Sequence, residues 1–233
     1  MKIETGLEAL SLADVYIDIH CHQTGANQTI EVISIGTKDF DTAATPDGFY
    51  SLGLHPWHLD QEDTQTALGK ISAAGMDPNL LAIGECGLDN AIFAALATQA
   101  TAFVSQINLA NQLGKPLIIH CVRAFNELIR IKKSTPNAKT PWIIHGFNGN
   151  PALAEQLIRH GFYLSFGTAL LNPRSHAGEA LSRTPFDRVF LETDAANVSI
   201  DAIYAAAAKM LGLDNASLRQ HIMSNFKRVF LND

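Results

Sequence analysis

The chain has 233 residues, 47% hydrophobic and 17% charged, which suits a globular protein with a sizeable core. No run approaches the roughly 18 apolar residues of a membrane span. A net charge of −6 excludes the broad basic footprint of a protein that holds duplex DNA by charge alone, and a nucleic-acid substrate then needs metal ions to supply positive charge locally.

Residues 15–20 read as a first apolar strand ending on His20, with His22 two residues on and therefore on the same face of an extended chain. A His-x-His pair there can chelate a divalent ion, or be two histidines of a surface turn. Residues 29–35 form a second strand without an obvious ligand. Residues 49–55 form a third, ending on His55 and stopped by Pro56, with His58 close behind. Residues 61–74 read as a helix, punctuated by Gly75 and Pro78. The fourth strand, residues 80–85, ends on Glu85; a glycine turn is expected next, then Asp89.

From 94 to 113 the spacing of Phe103, Ile107, Ala110 and Leu113 is helical, and Gly114 closes the helix. Residues 115–120 and 141–145 are the fifth and sixth strands, ending on His120 and His145, and helices are expected over 123–133 and 151–160. Residues 162–166 form the seventh strand and 173–183 a weaker helix. Residues 188–194 form the eighth strand, with Glu192 and Asp194 at its end. Two more helices follow, 200–211 and 216–231, the second capped by Asn215.

Apolar strands thus alternate with helices eight times, the pattern of an α/β, single-domain (β/α)8 TIM barrel over residues 1–233, with an open doubly wound sheet as the alternative. The crossover over 37–47 is short for a full helix.

In such a barrel the active site lies at the C-terminal strand ends. His20, His22, His55, Glu85, His120, His145 and Asp194 all fall there, and these five histidines are a majority of the chain's nine. A carboxylate ending a buried strand must be paired, protonated or metal-bound. The mixed imidazole and carboxylate set suits Zn, Mn, Fe, Ni or Co better than calcium. It is too large for one four-coordinate ion that keeps a position open, so two divalent ions are expected. His20, His22 and Asp194 are assigned to the first and His120 and His145 to the second, with Glu85 bridging and Asp194 as proton acceptor. His55 and His58 are read either as contacts to substrate or a further ion, or as supporting and solvated residues. Asp89 orients a ligand or caps a turn. Glu192 supports the site from behind or reaches the rim.

Cys21, Cys86 and Cys121 each follow a proposed ligand directly. Strand alternation turns them to the opposite face, so they are read as small buried hydrophobes. Three cysteines cannot all pair, and residues 1–5 lack a basic segment followed by an apolar one, so free thiols in a cytoplasmic enzyme without a secretory leader are expected.

Ile17-Asp18-Ile19-His20-Cys21-His22, Gly53-Leu54-His55-Pro56 and Ile83-Gly84-Glu85-Cys86-Gly87-Leu88-Asp89 follow one another in the order found in the TatD family. Ile118-Ile119-His120, His145-Gly146-Phe147-Asn148-Gly149, Leu191-Glu192-Thr193-Asp194 and the tail Asn225-Phe226-Lys227-Arg228-Val229-Phe230 continue the series. The chain therefore resembles TatD-family metal-dependent hydrolases over nearly its whole length. The resemblance implies a TIM barrel of the amidohydrolase-like superfamily with deoxyribonuclease activity. The family's ligands match His20, His22, Glu85, His120, His145 and Asp194, and His55 matches a position near substrate or an additional metal.

Val122 stands where the family usually has Arg, with Arg123 one residue later. Residues 90–93 are apolar where Tyr and basic residues are usual. Ala196 replaces a common Pro, and the basic loop after it is missing.

The sequence is read as a two-metal phosphodiesterase using a metal-activated water, with Mg, Mn and Zn as candidate ions and single-stranded DNA ends as substrate, Arg123 gripping phosphate. A hydrolase of a small phosphoester, amide or ester is the alternative, and a non-catalytic metal-binding protein the second. No membrane or obligate protein partner is expected.

Overall fold

A computed structural model describes residues 15–25, 28–41, 44–135, 139–231 and 233; residues 1–5, read for a leader, lie outside them. The strands are β1 (Tyr16–Cys21), β2 (Thr29–Gly36), β3 (Tyr50–Gly53), β4 (Leu80–Asp89), β5 (Leu117–Val122), β6 (Trp142–Ile144), β7 (Phe162–Phe166) and β8 (Val189–Leu191). Each pairs in parallel with the next, giving one eight-stranded sheet in sequence order. Asp194 closes it onto β1: its N–H donates to the His20 carbonyl at 2.9 Å and its carbonyl accepts from the His22 N–H at 3.2 Å. The expected TIM barrel is therefore the fold.

The α-helices among the described residues are α1 (Thr64–Ala74), α2 (Leu96–Leu113), α3 (Phe125–Ser134), α4 (Pro151–Arg159), α5 (Ala177–Arg183), α6 (Ile200–Leu211) and α7 (Asn215–Phe226), the last running on into a π-helical turn, Lys227–Leu231. Their ends carry ordinary signals. Asp63 accepts from the Thr66 N–H at 3.0 Å, and Asn150 caps α4 ahead of Pro151. Buried Ile, Leu and Phe from both faces of the sheet fill the core. Two polar ties join the tail to the barrel. The Tyr204 hydroxyl on α6 bonds the backbone N–H and carbonyl of Ile17, each at 3.1 Å, and Asn225 on α7 donates to the carbonyls of Phe186 and Val189. No described helix is long and apolar enough to cross a membrane.

Three expectations are corrected. The alternation is not eightfold: residues 22–25 and 28, between β1 and β2, carry no helix, because so short a return leaves no room for one. A single 3-10 turn, Thr37–Asp39, is the helical element between β2 and β3 among the described residues. The fourth strand does not stop at Glu85 for a turn but continues to Asp89, with a register shift between Ile83 and Cys86. Gly84 and Gly87 permit this: both have positive φ, and a Cβ on either would collide with the backbone of Ile118 or His120 on β5. Finally, Asp214 rather than Asn215 caps α7, accepting from the Ser217 N–H at 2.7 Å.

Candidate metal centre

On β1 the period-two alternation brings Asp18 and His20 to one face, with His22 just past the strand end. His20 is completely buried. Its Nε2 lies 3.5 Å from Glu85 Oε2 and 3.5 Å from Asp194 Oδ1, while His22 Nε2 lies 3.4 Å from the same Asp194 oxygen. Asp194 reaches this place by adopting φ 55°, a left-handed turn that Asp tolerates better than most residues. Its side chain is 46% exposed, so this carboxylate faces the open mouth.

Glu85 is the hub. Its Oε1 lies 3.0 Å from His55 Nε2, 2.9 Å from His120 Nδ1 and 2.8 Å from His145 Nε2. Burial pushes the Glu85 carboxyl up, but His145, His120 and His20 around it more than offset this and hold it well below the usual range. The imidazoles of His20 and His22 beside it hold the Asp194 carboxyl low as well. Both carboxylates are anionic at neutral pH.

A second layer fixes these side chains. Asp89 Oδ2 sits 3.1 Å from His120 Nε2 and accepts from Trp57 Nε1 at 2.7 Å, while its Oδ1 accepts from the Ala91 N–H. Asp89 thus both orients His120 and caps the turn. Glu192 is fully buried behind His145: its Oε1 accepts from the Gly146 N–H and lies 3.5 Å from His145 Nδ1. It supports the site from behind and does not reach the rim.

Three residues that sequence reasoning missed belong to this layer. Asp18 accepts from the Thr193 hydroxyl at 2.6 Å and from the N–H groups of Thr193 and His20. Burial pushes its carboxyl up to about 7 against those bonds. Asp18 stands two residues before His20, and that spacing was the available signal. Gln99 and Gln106 lie two turns apart on the buried face of α2. Gln99 pairs with the backbone N–H and carbonyl of Asp89 at 2.7 and 2.9 Å, and Gln106 with those of Leu54 at 2.8 and 3.1 Å. Their only signal was a polar residue on an apolar helix face.

His55 has a readable tautomer. Its Nδ1 accepts from the Trp57 backbone N–H at 3.1 Å, so the neutral ring carries its proton on Nε2, the atom facing Glu85. Burial lowers its basicity and favours that neutral form. In this tautomer His55 faces Glu85 as a donor, and it would join Glu85 and His120 about an ion only with that proton moved off Nε2. His58 lines the same mouth outside the ligand groupings. Cys21 and Cys86 are buried, and their thiols approach backbone carbonyls, Cys21 that of Val32 and Cys86 that of Ile118. Burial raises all three thiols, Cys121 to about 12, so none is a ready thiolate ligand.

The mouth is a cavity of about 560 Å³ lined by His22, His55, Glu85, His120, His145 and Asp194, and extending over the end of β2 to Ser34, Gly36 and Lys38. Among the described residues Lys38 is the single Lys or Arg in that lining. Arg123 is exposed, with φ 51°, and is absent from it.

The donors fit divalent ions. Among the described residues three sets of side chains can each gather about one ion: His20, His145 and Asp194; His20, His22 and Glu85; and His55, Glu85 and His120. None contains cysteine. His20 is the decisive member, since both its buried ring nitrogens lack a hydrogen-bond partner. Two carboxylate oxygens at 3.5 Å from Nε2 are too far for good hydrogen bonds. They match the roughly 3.4 Å between tetrahedral ligands whose bonds are about 2.1 Å long.

A family model described as TatD related DNase matches residues 26–231. A Haemophilus influenzae protein called an uncharacterized metal-dependent hydrolase is 30% identical over 187 residues, covering 74% of this chain and 71% of that one. The 3'-5' ssDNA/RNA exonuclease TatD of Erwinia tasmaniensis is 34% identical over 147 residues, covering 61% of this chain and 56% of its own length. The match thus spans little more than half of that exonuclease. The crystal structure of YjjV, a TatD homologue from Escherichia coli K12, superposes with a TM-score of 0.80 at 21% identity, over 94% of this chain and 99% of that one, and supports the barrel.

Proposed function

Because the chain belongs to the TatD-related DNase family of metal-dependent hydrolases, we propose that its rim cluster holds two divalent ions and hydrolyses phosphodiester bonds at the ends of single-stranded nucleic acid. The buried, unpartnered His20 facing two carboxylates carries this reading. His20, His22 and Asp194 would hold one ion, His120 and His145 the other, and Glu85 would serve both. Mg, Mn and Zn each accept such nitrogen and oxygen donors. Bound there, the ions supply Lewis acidity and bring the pKa of a water towards neutrality.

The chain's own residues do the rest. Asp194, anionic and half exposed, takes the proton of the attacking water on its free carboxylate edge. His55 donates from Nε2 to Glu85 Oε1 and, when substrate enters, to a phosphate oxygen. Asp89 and Glu192 keep the rings of His120 and His145 from rotating. The exonuclease names of the relatives support a single-stranded DNA or RNA substrate attacked from the 3' end. Unpaired cysteines suit a reducing compartment, and the cytoplasm is the proposed location.

One observation favours a second reading, a small phosphoester: Arg123 is outside the cavity lining and only Lys38 offers a cation there. End-labelled single-stranded DNA, incubated with Mg2+, Mn2+ or Zn2+ in turn, separates the two. Ion-dependent shortening that Glu85→Ala lacks is expected. No shortening with any ion, together with turnover of a small phosphoester, would transfer the assignment.

A further inference from the structure

Trp57 is 56% exposed and Phe93 wholly exposed. Rings left in water forgo the burial that aromatic side chains ordinarily find. Both stand at the C-terminal end of the barrel, on neighbouring connections. Trp57 lies in the 3-10 turn Pro56–His58 after β3, and Phe93 in the loop between β4 and α2. Trp57 is held firmly by one edge, its Nε1 donating to Asp89 Oδ2 at 2.7 Å. Its ring centroid lies 5.1 Å from His55 and 6.0 Å from His120, with near-perpendicular planes. Among the described residues no ring is stacked on it and no cation lies over it. Phe93 stands four residues beyond the same Asp89.

Positive charge is scarce at this mouth. Among the described residues Lys38 is the single Lys or Arg lining it, and Asp39 lines it as well. We propose that Trp57 and Phe93 form a stacking platform for bases of single-stranded nucleic acid, so that ring contact replaces much of the grip on phosphate. This rests on the nuclease reading above. Stacking on aromatic side chains is indifferent to sequence, because every base has a flat face, and it requires that the base be unpaired. The platform therefore selects against duplexes and against phosphoesters without a ring. It also predicts weak salt dependence, since that dependence counts the phosphates neutralised by protein charge.

The chain has two tryptophans, and the other, Trp142, is fully buried, so quenching of the exposed fluorophore reports Trp57 directly. The ion-loaded enzyme is titrated with a short oligothymidylate and with an abasic oligomer of the same backbone. Quenching by the first, not by the second, and absent in Trp57→Phe, is expected. In kinetics with the oligothymidylate, Phe93→Ser and Trp57→Ala should each raise KM about tenfold. Phe93→Ser should leave kcat within about twofold, and neither variant should change KM for the abasic oligomer. Raising salt from roughly 50 to 200 mM should raise the wild-type KM less than about tenfold, where six or more phosphate contacts would cost about a thousandfold. Equal quenching by both oligomers, or an unchanged KM in Phe93→Ser, overturns the platform. A Trp57→Ala loss confined to kcat and equal on both substrates overturns it too, leaving Trp57 only the task of holding Asp89. If the wild type cleaves neither oligomer the nuclease reading fails, and the titration still decides whether the rings bind bases.

Discussion

From β4 to β8 each strand passes into a helix that returns over the outside of the sheet, whereas β1 and β2 are followed by short connections. Burial records the difference. In β4 every residue but Glu85 is buried, while in β2 only Val32 is. Yet both arcs supply the proposed metal centre, β4 to β6 giving Glu85, His120 and His145, and the closing seam of β1 and β8 giving His20, His22 and Asp194. Helical cover is therefore not what positions the site. Buried polar clamps do that: Gln99 and Gln106 on the covered arc, and Asp18 with Thr193 at the seam. The trimmed arc leaves the mouth open over the end of β2, where Ser34, Gly36 and Lys38 line it.

The largest expected effect tests whether the two arcs act as one centre. Glu85→Ala on the covered side and Asp194→Asn at the seam should each cost roughly a thousandfold or more in kcat, with the circular dichroism and melting of a folded barrel retained. A variant retaining more than a tenth of wild-type kcat would separate the arcs.

The next compares their packing. Ile118→Ala, at a fully buried position on β5, should destabilise by about 2–5 kcal/mol in urea titration. Ile30→Ala, on half-buried β2, should cost about 1 kcal/mol or less, since less surface is lost there. Equal costs would mean that β2 is covered as well as β5.

Gln106→Leu leaves the buried N–H and carbonyl of Leu54 without partners and should cost about 2–3 kcal/mol. Because Leu54 precedes His55, kcat should fall as well, beyond what a surface control of equal stability shows.

A pH-dependent effect lies at the opposite end of the barrel. Lys132 Nζ sits 4.3 Å from the Trp142 ring and 4.9 Å from that of Phe162. Burial, with Arg188 nearby, lowers its pKa to about 8 from 10.5. A lysine lowered on folding stabilises the fold fully above its unfolded pKa, and that contribution is lost as pH falls from about 10.5 to about 8. Relative to Lys132→Met, the wild type should therefore gain about 1–2 kcal/mol between pH 8 and 10.5, the rings beneath the ammonium opposing the full shift. A flat difference would mean that Lys132 is solvated.

Much of this was legible in the sequence for a physical reason. A strand covered on both faces must be apolar throughout, so a His or Glu ending such a run stands out, and His20, Glu85, His120 and His145 were found in that way. What was hidden depends on contacts that no local pattern carries. Gln99 and Gln106 look like ordinary helix residues until α2 is laid against β3 and β4. Glycines 84 and 87 read as a turn, since the close approach of β5 that requires them is a tertiary fact. The tautomer of His55 depends on the backbone N–H of Trp57. The missing helix after β1 was visible in the length of residues 22–28 and was overridden by the regularity of the rest.

In the proposed two-ion centre one carboxylate, Glu85, joins both halves. Its role is read from metal stoichiometry on wild type, Glu85→Ala and His22→Ala. Two ions per wild-type chain are expected, with weakened binding of both in Glu85→Ala and selective weakening of one in His22→Ala. A Glu85→Ala protein that still holds an ion with wild-type affinity would contradict that role.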